Sequence, residues 1–323
     1  MRIVAILLIA GVPYGTAAAS ERTIESAPLG DGLRLQYYAS APPGAAVSRI
    51  LIGIHGYTRD ANRTYDAAAA AAANAGQTSG LLIVAPVFQV PASEAVKCQF
   101  PGVPAASPGD ALWRCGNWAS GSQASNGAIT SFAAMDRLEA ILVSRYPGAG
   151  TITLAGFSAG GQYVQHYVGF ARPPAGVRPR YVVADPSEFV YFDRWRPRAG
   201  IDACPDYNNW KYGTDNLPLA LGRSGEQARI VYSGAAVDYL EGALDTGSGP
   251  GTSYRLLEKN CSAELEGPYR LERGEAYAAY DAERLAHGAH HLTVVPGCGH
   301  SVTCVFPSAA ALPVLFPSDA GGK

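Results

Sequence analysis

The nine residues Leu154–Gln162, LAGFSAGGQ, set one serine between an apolar run and a chain of small residues. Within them Gly156-Phe157-Ser158-Ala159-Gly160 has the spacing G-x-S-x-G. The run TITLAG from Thr151 precedes the serine, and SAGGQYVQHYVGF, compatible with a helix, follows it. A strand that turns into a helix at a serine leaves no room for side chains two positions away. Glycine there clears the turn, pushes the hydroxyl into the open and sets the N–H of Ala159 at a helix N-terminus. The alternative is an ordinary glycine-rich turn, but the flanking strand and helix favour a nucleophile.

Working outward, short apolar runs recur at LRLQYY from Leu33, RILIGI from Arg49, GLLIVA from Gly80, RYVVAD from Arg180, ARIVYS from Ala228 and HLTVVP from His291. Continuous runs of this kind read as strands buried on both faces. Between them, AITSFAAMDRLEAILVSRY sets Ile129, Phe132, Met135, Leu138, Ile141 and Leu142 on one helical stripe that Pro147 ends. The segments around Asp66–Ala73 and from Glu275 read as two more helices. Strands alternating with helices predict an α/β doubly wound, mainly parallel sheet, with chemistry beyond the carboxyl ends of its strands. Residues 186–218 are rich in Pro, Asp, Arg, Trp and Tyr and weak in periodicity, so they read as a long excursion of one domain over 20–323.

The first 19 residues have a basic start, a short apolar run and small residues before Ser20, the order of a secretory signal peptide. Secretion or a periplasmic location follows as an expectation, and no later run is long enough to span a membrane. Six cysteines, at 98, 115, 204, 261, 298 and 304, suit an oxidising compartment. Loop lengths favour the pairs Cys98–Cys115, Cys204–Cys261 and Cys298–Cys304 among 15 possible pairings. No C-x-x-C pair is present, so no metal is expected. The net charge of −2 supplies no field for nucleic acid. Oligomeric state is left open.

A nucleophilic serine needs a base, an acid to orient it and donors for an oxyanion. His55-Gly56-Tyr57-Thr58 follows a buried strand, where the N–H of Tyr57 can join that of Ala159. His55 itself reads as packed and hydrogen-bonded, and His166, two turns into the helix after Ser158, as a packing residue. His287, His290 and His291 sit where a helix end enters a strand and read as caps. His300 follows the last strand on a glycine loop that Cys298 and Cys304 can staple, which suits a general base. The acid is read at Asp238, five residues beyond the run ARIVYS, with Asp185, Glu241 and Asp245 as rivals.

With Ser158, an aspartate and His300 in that chain order, the sequence resembles the α/β-hydrolase superfamily. More narrowly, HGYT, AGFSAGGQ, ADPSEFVYFDRWRP, CPDYNNWKYG and VPGCGHSVTCVF look like secreted hydrolases likened to polyhydroxyalkanoate depolymerases, lipases and poly(aspartic acid) hydrolases. The resemblance implies a mainly parallel sheet with helices on both faces, acyl transfer through Ser158, and no cofactor. It implies a small-molecule ester or a polymer as substrate, with amide hydrolysis as the alternative and a non-catalytic binding protein as a remote one. Substrate contacts are expected from Trp210, Lys211 and Arg194 in the excursion. Its arginines either form a basic wall for a polyanionic chain or are paired with Asp193, Asp202, Asp206 and Asp215.

Overall fold

The structure is a computed structural model that describes residues 22–40 and 45–317; the expected signal peptide lies outside the described residues. Eight strands form one sheet: β1 (Thr23–Gly30), β2 (Leu33–Ala39), β3 (Arg49–Ile54), β4 (Leu81–Val87), β5 (Thr151–Phe157), β6 (Arg178–Ala184), β7 (Val237–Gly242) and β8 (His291–Val295). Their order is β1-β2-β4-β3-β5-β6-β7-β8. The six from β4 to β8 run parallel, and β1 and β2 add two antiparallel pairings at one edge. Separate apolar cores cover the two faces, one including Met135, Leu138 and Tyr163 and the other Ala68, Val182 and Phe306. Strands buried on both sides are continuous apolar runs for that reason.

The expected strands and helices recur with two corrections. The edge strand β1 alternates exposed and buried positions and carries Glu25 and Pro28, so its pattern was too weak to read. The second correction matters more. ARIVYS is helix, not strand: Gly225–Ser233 is α-helical, with a capping box in which Ser224 accepts from the N–H of Gln227 and the Gln227 side chain accepts from the N–H of Ser224. The strand that follows begins only at Val237.

The helix Ala159–Val168 is buried along its whole length, and its glycines determine how closely it packs. A Cβ on Gly160 would lie 2.2 Å from the carbonyl oxygen of Ile54 in β3, and one on Gly161 2.3 Å from that of Ala184 in β6. Glycine is thus a packing requirement here. The excursion is fastened to the body by Gln165, which donates to the carbonyl of Val190, and by the disulfide Cys204–Cys261. The other two disulfides, Cys98–Cys115 and Cys298–Cys304, also match the expected pairing.

Gly156→Ala should lower stability by about 3 kcal/mol or more, since its Cβ would meet the backbone oxygen of Gly160 at 2.0 Å. Gly150→Ala, with nothing within 4 Å of the added carbon, is the control. Equal denaturation midpoints for the two variants would contradict the packing account.

Candidate active site

Ser158 occupies the turn between β5 and its helix with φ 61° and ψ −122°, a conformation that costs a non-glycine residue about 1–3 kcal/mol. Its N–H is tied to the carbonyl of Ala184 at 2.9 Å, which helps hold the turn. His300 Nε2 lies 2.8 Å from Ser158 Oγ, and His300 Nδ1 lies 2.6 Å from Asp245 Oδ2. With Nδ1 carrying the proton toward the carboxylate, Nε2 is left to accept from the serine hydroxyl.

The acid beside His300 is therefore Asp245, not Asp238. The displacement follows from the strand correction. Because β7 begins at Val237, Asp238 stands near its start, four residues or roughly 13 Å before its end. There it pairs with Arg180 at 2.8 Å, opposite His291 in the register with β8. Asp245 sits three residues past the strand, where its N–H bonds to the carbonyl of Gly242 and the neighbouring Leu244 N–H to that of Cys298. The Cys298–Cys304 disulfide and a 2.7 Å bond from His300 N–H to the carbonyl of Gly251 fix the histidine loop.

Charge behind this pair is buried and unevenly matched. Arg270, 2% exposed, lies 3.6 Å from Asp245 Oδ1 and donates to the carbonyl of Thr252. Asp185, a second rival, is buried beneath and accepts from the N–H of Gly242 at 2.8 Å. Burial, then the charge of Asp245, pushes Asp185 up to about 8. Burial, then Asp185, holds Glu241 well above the carboxylate range. Protons rather than counter-charges thus neutralise much of this carboxyl cluster at neutral pH. For His300, burial and then the Arg270 guanidinium outweigh Asp245 and lower it to about 4.

The remaining histidines stay out of this chemistry. His55 is fully buried, accepts from the N–H of Phe88 and donates to the carbonyl of Gly56, and burial lowers it to about 3. His166 bridges the carbonyls of Gln162 and Lys211. His290 bonds to Asp281 at 2.7 Å and to the carbonyl of Ala235.

Ser158 opens into a cleft of about 470 Å³ that Tyr57, Ala159, Trp210 and Lys211 also line. The turn carrying Tyr57 is braced by Asp60, which accepts from the N–H of Gly56, and by buried Arg59, which donates to Gln89 and to the carbonyl of Cys98. Ala159 begins its helix, so its N–H is one that the helix leaves without an internal partner. Trp210 donates to the carbonyl of Ser120, and Lys211 is ion-paired with buried Glu188. Arg194 departs from expectation: it is exposed, pairs with Asp215 at 2.7 Å and does not reach the cleft. Glu188, Glu258 and Arg270 were missed in the sequence because nothing local marks a charged residue as buried or cleft-lining.

No protein-family profile and no curated protein sequence matches the chain. Among solved structures, the chain is similar to poly(aspartic acid) hydrolase-1 from Sphingomonas sp. KT-1, at 19% identity over 91% of this chain and 98% of that one, with a TM-score of 0.60. It is similar in the same degree to a poly(3-hydroxybutyrate) depolymerase from Bordetella parapertussis, at 19% identity over 92% and 94% of the two chains, TM-score 0.60. At such identity the likeness speaks for the fold.

Two outcomes test this geometry. Asp245→Asn should slow turnover of an activated ester roughly a thousandfold or more, because the wrong imidazole tautomer then faces Ser158, while Asp238→Asn should change it little. A severe loss at 238 with a mild loss at 245 would reverse the assignment. In the pH profile of kcat/KM, the acid limb should fall near pH 4, because His300 must be neutral to take a proton and its environment disfavours the cation. A limb near 6.5 would contradict that environment.

Proposed function

From a chain with the α/β-hydrolase fold, we propose a serine hydrolase that cleaves carboxylic esters through an acyl-enzyme. The observation that carries this reading is the hydrogen-bonded array Ser158–His300–Asp245 at the carboxyl ends of β5, β7 and β8. His300 takes the Ser158 proton as the hydroxyl oxygen attacks the carbonyl carbon. The N–H groups of Ala159 and Tyr57 receive the oxyanion, each such donor being worth about 2.7–4 kcal/mol in the transition state. His300 then gives its proton to the departing alcohol, and water, deprotonated by the same nitrogen, releases the acid. Asp245 holds the imidazole tautomer throughout and offsets the cation formed in each step.

Ester cleavage leads because an ester carbonyl is more electrophilic than an amide carbonyl and an alkoxide leaves far more readily than an unprotonated amide nitrogen. Amide hydrolysis is the second reading, supported by the likeness to a poly(aspartic acid) hydrolase, and uses the same residues. Trp210 and Lys211 are the proposed substrate contacts, from their place on the cleft wall. The three disulfides support action outside the cytoplasm, in a secreted or periplasmic setting. No helix among the described residues is long and apolar enough to cross a membrane.

Purified protein offered p-nitrophenyl esters, polyhydroxybutyrate and poly(aspartate) side by side should turn over esters, with a fluorophosphonate probe labelling Ser158. Release of aspartate oligomers with negligible ester turnover would shift the reading to amides. An unlabelled Ser158 in folded protein would remove it altogether.

A further inference from the structure

The cleft beside Ser158 has three charged side chains in its lining: Lys211, Glu188 and Glu258. Their formal sum is −1. Lys211 is the single cation among them, and it is already engaged. Its ammonium is ion-paired with Glu188, which is 1% exposed, and stands 3.6 Å from Glu258 Oε2. Burial works against the charged lysine, but Glu188 outweighs it and raises Lys211 above its usual range. Burial likewise works against the glutamate, yet Lys211 holds Glu188 below its usual range. Lys211 thus lies between two carboxylates and nearer to Glu188, so one negative charge is in excess, on the side of Glu258, which is 38% exposed.

Glu258 is also held in place. Its N–H donates to Ser187 Oγ at 2.8 Å, and its carbonyl accepts from Arg273 at 2.9 Å. The arginines of the excursion do not compensate it. Arg194 turns to Asp215, Arg196 is buried against Tyr191 with its guanidinium on backbone carbonyls, and Arg198 donates to the carbonyl of Glu264. Among the described residues, no basic wall of the kind a polyanionic chain would need lines this cleft.

We propose that Glu258 is a specificity-determining residue that makes the cleft reject substrates carrying a carboxylate near the scissile bond and accept neutral or cationic ones. This deepens the hydrolase reading and rests on Ser158 as its nucleophile. A carboxylate in the cleft would meet the Glu258 charge in a partly desolvated space where like charges cost more than in water. A cationic group finds a carboxylate whose partners are the N–H of Lys259 and a Lys211 ammonium that Glu188 already shares. The polymer most disfavoured is then poly(aspartate).

The test compares esters of one size that differ in charge. One set varies the acyl side: 4-nitrophenyl pentanoate, mono-4-nitrophenyl glutarate and 4-nitrophenyl 4-(trimethylammonio)butanoate. The other varies the alcohol side: the acetate esters of 3,3-dimethylbutanol, of glycolate and of choline. In low salt, kcat/KM for the anionic ester should fall roughly tenfold below the neutral one in the set whose charge enters the cleft. Glu258→Gln should narrow that ratio several-fold, Glu258→Lys should invert it, and added salt should narrow it in the wild type. Anionic esters matching neutral ones in both sets, or a ratio that Glu258→Gln leaves unmoved, would overturn the proposal. The same preference is readable without turnover. In Ser158→Ala protein, the emission of Trp210, taken as the difference from a Trp210→Phe counterpart, should respond to n-butylammonium at lower concentration than to n-butyrate. The reverse order would also overturn it. If every ester is inert, the ester reading fails, while this titration still decides the sign of the cleft.

Discussion

Everything near Ser158 depends on how closely one helix lies on the sheet. Gly160 and Gly161 let the helix Ala159–Val168 rest directly on the carbonyls of β3 and β6, and Gly156 admits the carbonyl of Gly160 in return. A methyl group at any of the three would meet backbone at 2.0–2.3 Å. The serine between them is held at positive φ because the chain must change from strand to helix within that space. Its hydroxyl is thereby fixed while the loops after β7 and β8 bring their side chains to it. Fixing the reacting atoms before substrate arrives is what gives such arrays their effect on rate.

The second constraint is electrostatic. Asp185, Glu241 and Asp245 are all essentially inaccessible, with Arg270 the buried cation beside Asp245. Three ionised carboxylates there would be very costly, and burial, then the neighbouring Asp185, favours the neutral form of Glu241. Gly274, in the helix Arg270–Arg284, supplies the room: a Cβ on it would lie 2.2 Å from Glu241 Oε1. Asp245 is the carboxylate of the three that faces His300.

The sequence carried the elbow, the base and the covalent staples, because each depends on local spacing. G-x-S-x-G between a strand and a helix has a steric meaning that needs no tertiary information, and His300 stood between two cysteines six apart. The acid was harder. A six-residue apolar run does not separate a strand from a buried helix segment, so ARIVYS read as a strand although SGEQ just before it spells a capping box. The true strand, VDYLEG, includes two acidic residues, and Glu241 fits a buried strand only as the neutral acid. One misplaced element moved the expected carboxylate from the end of a strand to its start. The cleft charges were illegible for a different reason: Glu188 and Lys211 lie 23 residues apart in an excursion without periodicity, Glu258 lies beyond it, and the three meet only in the fold.

The central claim is that Asp245 holds His300 in the tautomer that leaves Nε2 free for Ser158. Proton NMR of the folded protein tests it most directly, through the low-field resonance of the His300 Nδ1 proton. The account predicts such a signal in the wild type, its survival in Asp238→Asn, and its loss in both His300→Ala and Asp245→Asn. A signal that survives Asp245→Asn but disappears in Asp238→Asn would contradict the account.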